Sequence, residues 1–186
     1  FVRLDYWLKL CTEVDKVFAK CVKSLDNTKD FRSALMTLRC VGNFRTSVLL
    51  ASSLLLQESR AISRVMLECA LYGFDFSKNP EHFRVWLDQD ESEEGKKRCR
   101  NLMQVRRIRD ELRSYSAPVA DRFGKVYGDA IDAGAHPNVQ AVLKNLQIDQ
   151  VADGKKVSNL MLNAKPAFVL ETFKASIESA MVTLEA

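Results

Sequence analysis

The chain has 186 residues, 47% of them hydrophobic and 28% charged, and a formal net charge of +4. Those values fit one globular domain over residues 1–186. They exclude a bilayer span, because no apolar run approaches the roughly 20 residues one needs, and the charge is too small to argue for nucleic acid by itself.

The five cysteines, Cys11, Cys21, Cys40, Cys69 and Cys99, are widely spaced with no Cys-x-x-Cys. An odd, scattered set speaks against a disulfide framework or a zinc site and for a reducing, cytoplasmic setting. The opening Phe1-Val-Arg-Leu-Asp5 is not a signal peptide. The lack of a starting Met predicts that a few residues precede Phe1.

Four prolines and seven glycines, with apolar residues mostly at helical period, predict an all-α fold. Leu4, Trp7, Cys11, Val14, Phe18, Cys21 and Leu25 form a heptad seam on a first helix. Asp26-Asn27-Thr28 ends it and caps a second helix carrying Phe31, Leu35, Leu38, Val41, Val48, Leu49, Leu55 and Leu56. Gly42 inside that helix costs about 1 kcal/mol relative to alanine and marks a place for a break or kink. Ser59 reads as the N-cap of a third helix, Arg60 to Phe74, whose apolar positions cover most of its circumference. Such a helix is central and buried.

Ser77-Lys-Asn-Pro80 leads into a fourth helical region reaching Ser114, in one or two pieces around Gly95. Ala117-Pro118 opens a fifth helix with Val119, Phe123, Val126, Tyr127 and Ile131, which stops at Gly134 and Pro137. Leu146, Ile148 and Val151, then Asp153-Gly154 and Val157, predict a small β-hairpin. A last helix starts at Pro166 and carries Phe168, Val169, Phe173, Ile177, Met181 and Leu184. The predicted architecture is an antiparallel bundle of about five to seven helices, with the hairpin packed on one side.

Chemistry concentrates in three places. Arg60, Arg64 and Glu68 lie on successive turns of the central helix. They read either as a self-satisfied ion pair or as part of a site, because desolvated charges need further partners. His136 stands before Pro137 at a helix exit. There it either meets free helix carbonyls or acts as a general base or stacking group. Accounting for Glu68's acceptor capacity predicts His136 within hydrogen-bonding or one-water reach of Glu68 or Arg64. Tyr127 and Asp132 are the expected supporting residues. The third place is the basic run from Lys96 to Arg113, in which Lys96, Lys97, Arg100, Arg106 and Arg107 are candidates for tracking phosphates. Glu93–Lys97 and Glu94–Arg98 spacing predicts that part of it is self-paired and solvated. His82 reads as surface. No phosphate-binding glycine loop, Gly-x-Ser-x-Gly elbow, His-Glu-x-x-His or dense metal-ligand set is present, and no cofactor or metal is expected.

Ala61-Ile-Ser-Arg64-Val-Met-Leu-Glu68 resembles the Ala-x-x-Arg-x-x-x-Glu signature of a widespread family of uncharacterised, mostly bacterial, helical proteins. There a later tyrosine-bearing helix ends in His-Pro, as Tyr127 to His136-Pro137 does, and Pro80-Glu-His-Phe-Arg-Val-Trp86-Leu is similar too. The resemblance spans roughly residues 48–138. That family is similar to the higher eukaryotes and prokaryotes nucleotide-binding (HEPN) superfamily. The resemblance implies a helical bundle, often dimeric, with some members acting as metal-independent RNases in toxin and defence systems. The RNase motif places an arginine just ahead of the histidine on one helix. Here Ile131 to Ala135 hold no arginine, and the nearest upstream one is Arg122. Arg64 would have to supply the cation from another helix. The expectation is therefore a non-catalytic module that binds a partner or a second copy through the heptad seam or the fifth helix. The alternative is an RNase or nucleotide-binding protein using His136, Arg64 and Glu68.

Overall fold

A computed structural model describes residues 4–25, 28, 30–135, 143, 146–152, 154–159, 162 and 164–186. Among these, α1 spans Leu4–Ser24, α2 Phe31–Ser52, α3 Leu56–Lys78, α4 Pro80–Leu87, α5 Glu93–Leu102, α6 Val105–Tyr115, α7 Ala117–Ala130 and α8 Pro166–Glu185. A five-residue π turn, Ile131–Ala135, extends α7. The strands β1, Leu146–Val151, and β2, Gly154–Asn159, pair antiparallel with Ile148 opposite Val157. The fold is the predicted all-α bundle with a small hairpin. No described helix is long and apolar enough to cross a membrane.

α3 is the central element. Its Met66 and Ala70 join Phe18, Phe44, Val169 and Phe173 in one core between α1, α2 and α8. Its Leu67 and Leu71 meet Ile108, Leu112 and Phe123 of α6 and α7. Its Phe76 packs with Met36, Phe83, Cys99 and Met103. A helix apolar nearly all round has to be covered on every side, and three separate clusters do this.

Local details differ from expectation. α2 runs through Gly42 without a break. Buried Cys40, Val41 and Phe44 on either side hold it, and tertiary packing outweighs a propensity cost of about 1 kcal/mol. α3 begins at Leu56, so Ser59 is not its cap. The Ser59 hydroxyl is buried and donates to the Ser47 carbonyl at 2.8 Å, tying α3 to α2. The turn between them closes at Leu54, in the left-handed region with φ 63°. The region from Pro80 to Ser114 holds three α-helices and a short 3-10 turn, Gln89–Glu91, rather than one or two helices. The first division falls at Ser92, whose Oγ accepts from the Gly95 N–H at 2.9 Å and caps α5.

The N-terminal seam is used internally. Cys11, Val14 and Phe18 are buried in the core, which removes them as a surface for a partner. Ile148, Val151 and Val157 of the hairpin are exposed. These three residues are therefore not buried against the described helices, as packing on one side would have done, while Leu146 is partly covered. The predicted cap Asp26-Asn27, and Asp153 of the hairpin turn, lie outside the described residues.

Candidate functional site

Spacing of one helical turn puts Arg64 and Glu68 side by side on α3. Arg64 Nε donates to Glu68 Oε1 at 2.9 Å. Tyr127, from α7, donates its hydroxyl to the same oxygen at 2.7 Å and receives a longer contact of 3.2 Å from Arg64 Nε. The Arg64 guanidinium carbon lies 5.5 Å from the centre of the Tyr127 ring, a cation–π contact. Phe123 stacks on the Tyr127 ring with centroids 5.6 Å apart. Arg64 and Glu68 side chains are each 24% exposed, so the pair is shielded without being sealed.

Burial first, then the bond to Glu68, push the Tyr127 hydroxyl up to about 12. Burial works to lower Arg64, and its bonds to Glu68 and Tyr127 outweigh this, so it is held firmly protonated. A general acid or base works best with a pKa near the operating pH, and Tyr127 is far from that range. These bonds form a charge-assisted lock between α3 and α7.

The other predicted residues are distributed differently. Arg60 turns toward α8 and donates from Nη2 to the Glu171 carbonyl at 2.9 Å. Burial lowers its pKa. With Asp132 of the π turn, Asp129, Glu171 and Glu178, it lines a separate cleft of about 350 Å³. Tyr127 thus contacts Arg64 and Glu68, while Arg60 and Asp132 line the same separate cleft. His136 and its expected contact with Glu68 or Arg64 lie outside the described residues.

Much of the basic run is neutralised. Lys96 pairs with Glu93 at spacing three, rather than Lys97 at spacing four. Arg109 pairs with Asp110 and Arg113 with Asp121. Arg107 is committed to the interior. Its Nη2 lies 2.5 Å from Asp75 Oδ1, its Nη1 3.2 Å from Glu111, and its Nε donates to the Leu102 carbonyl at 2.7 Å. Lys97, Arg98, Arg100 and Arg106 are exposed and form no ion pair among the described residues.

Sequence reading missed the Asp75 network. Asp75 is fully buried in α3 and also contacts His82 Nδ1 at 2.9 Å, while Asn79 bridges toward Glu111 at 3.0 Å. His82, expected on the surface, is largely covered, because it is one of the partners that make Asp75's burial tolerable. The available signal was an acid inside the apolar run Leu71-Tyr72-Gly73-Phe74-Asp75-Phe76. Among the described residues no group of three or more His, Cys, Asp or Glu side chains is placed to hold a metal ion.

α2 turns a second apolar face outward. Phe31, Leu35, Leu38 and Leu49 are exposed, and Phe31 and Leu49 keep 62% and 65% of their surface. With Gly42 and Arg45 they continue one heptad line. Nothing lies within 4 Å of where a Cβ on Gly42 would sit, so the line has a gap at its middle. Comparison of the chain with protein-family models, with curated proteins and with solved structures finds no match.

Proposed function

We propose that the chain is a non-catalytic, HEPN-like helical module that pairs with a second copy of itself through the outer face of α2. The observation carrying this is the exposed line of Phe31, Leu35, Leu38 and Leu49. Apolar side chains at heptad spacing on one helix face are what a helix–helix interface requires. An antiparallel, two-fold pairing of two α2 helices is self-complementary. It sets Leu38 of one copy against the open space at Gly42 of the other, and Phe31 against Leu49. A non-catalytic role is supported by the missing arginine ahead of His136 and by the Tyr127 hydroxyl, pushed up to about 12. Sedimentation equilibrium tests this. Wild type should form a dimer, and Leu38→Glu should be monomeric with its fold intact. A wild type that stays monomeric at high concentration sinks the proposal.

A second reading, RNA or nucleotide binding, draws on Lys97, Arg98, Arg100 and Arg106, which are exposed on α5 and α6. Such a face binds phosphates with steep salt dependence. RNA cleavage by wild type that is lost in His136→Ala favours this reading. Absence of both binding and cleavage at low salt removes it.

A further inference from the structure

The outer line of α2 has the same spacing read from either end. Phe31, Leu35, Leu38, Gly42, Arg45 and Leu49 follow one another at steps of four, three, four, three and four. An antiparallel second copy therefore meets each position with its mirror image: Phe31 with Leu49, Leu35 with Arg45 and Leu38 with Gly42. Two of these residues, Arg45 and Leu49, also line a groove of about 350 Å³ between α1 and α2. Buried Cys11 and Phe44 form its floor, and the exposed Leu8 and Leu49 stand at its rim.

Phe31 opens α2. Its ring meets Phe83 edge-on, with centroids 5.4 Å apart, and the residue stays 62% exposed. A cavity of about 150 Å³ holds a benzene ring, so the groove has room for a phenyl side chain. Arg45 favours an aromatic one. Its Nε and Nη2 donate to the two oxygens of Asp15 at 2.7 and 3.1 Å, which fixes one edge of the guanidinium against α1. A guanidinium held by its edge offers its flat faces to the electron-rich face of a ring, and the Arg45 side chain is 59% exposed. Along one α2, Phe31 and Arg45 stand about 21 Å apart at 1.5 Å per residue, so Phe31 cannot reach the groove of its own chain.

We infer that the groove between α1 and α2 seats the Phe31 ring of a second copy, stacked on Arg45, once on each side of the two-fold axis. Resting on the α2 pairing proposed above, this seat brings α1 into the interface. The groove floor supplies burial, and Arg45 supplies the preference for a ring.

Dimer affinity from sedimentation equilibrium tests the seat in two ways. Thr12 is exposed on α1, off the α2 line, and lines the groove. Thr12→Trp fills the groove and should weaken pairing about ten-fold or more, the effect of leaving one phenylalanine ring in water. Arg45→Met should weaken pairing about two- to five-fold more in wild type than in Phe31→Leu, the effect of one exposed cation–π contact. Changes that either substitution makes within its own chain cancel in that comparison, which decides the matter if Thr12→Trp fails to fold. The seat is overturned, with the α2 pairing intact, if Leu38→Glu is monomeric while Thr12→Trp folds and pairs as tightly as wild type. Equal losses from Arg45→Met with and without Phe31 overturn it too. A wild type that stays monomeric at high concentration removes the pairing and the seat together.

Discussion

Glu68 accepts both the Arg64 and the Tyr127 bonds on one oxygen. Removing it takes this shared acceptor from a shielded guanidinium and a half-buried hydroxyl, so Glu68→Ala should lower stability by about 1–3 kcal/mol in urea unfolding. Asp75 is more deeply placed, and its loss would leave Arg107 and His82 without their buried acceptor. Asp75→Ala should cost about 3 kcal/mol, the lower end for breaking a buried pair, because Arg107 keeps Glu111 and the Leu102 carbonyl. Alkaline pH acts on raised groups. Burial lifts the Cys11 thiol to about 11 and the Tyr72 and Tyr127 hydroxyls to about 12. Each contributes stability that is complete below its unfolded pKa, near 9 for cysteine and 10 for tyrosine, and lost as pH rises through the folded value. Unfolding free energy measured from pH 9 to 12 should therefore fall, and Tyr127→Phe should make the fall above pH 10 shallower. The Arg64–Glu68 pair was legible because one turn of one helix joins the two residues. The Asp75–Arg107 pair, 32 positions apart, was not, since only the packing of α6 on α3 brings it together.

The start of α5 follows from capping rather than from glycine. Gly95 read as the division within the region from Pro80 to Ser114, but Ser92 is the cap, and Gly95 sits in the first turn behind it. A Cβ there would come within 3.1 Å of Ser92 Oγ. Ser92→Ala should cost about 1 kcal/mol by thermal unfolding, the usual effect of losing an N-cap. Gly42 stands in the middle of α2 and Gly128 in the last turn of α7, each with open space beside it. Gly128→Ala should stabilise by about 0.5–1 kcal/mol. Gly42→Ala should stabilise the lone chain similarly, yet weaken its pairing, because the added methyl fills the gap that Leu38 of a second copy would occupy. α3 was legible as the central helix from its all-round apolar pattern. The π turn after α7 was not, because Gly134 and Pro137 mark only a stop.

At the scale of the molecule, the bundle was readable from periodicity and the presence of the hairpin from Asp153-Gly154, whereas its register, with Gly154 paired to Val151, was not. Which seam stays outside was not. α1 carries an unbroken apolar heptad line, whereas the outer line of α2 is interrupted by Gly42 and Arg45 and was not read from spacing. Packing decides: α1 turns Cys11, Val14 and Phe18 into the core, while α2 buries Cys40, Val41 and Phe44 and leaves its other line uncovered. That uncovered line is the basis for the proposed antiparallel pair. In such a pair Phe31 of one copy lies beside Leu49 of the other, whereas two copies of either residue stand about 27 Å apart along the helices, at 1.5 Å per residue. The most direct measurement is oxidative cross-linking of Phe31→Cys and Leu49→Cys chains, mixed and separately. The account predicts covalent dimers through the new cysteines in the mixture and few in either variant alone. No cross-link in the mixture, or equal cross-linking in each variant alone, would contradict it.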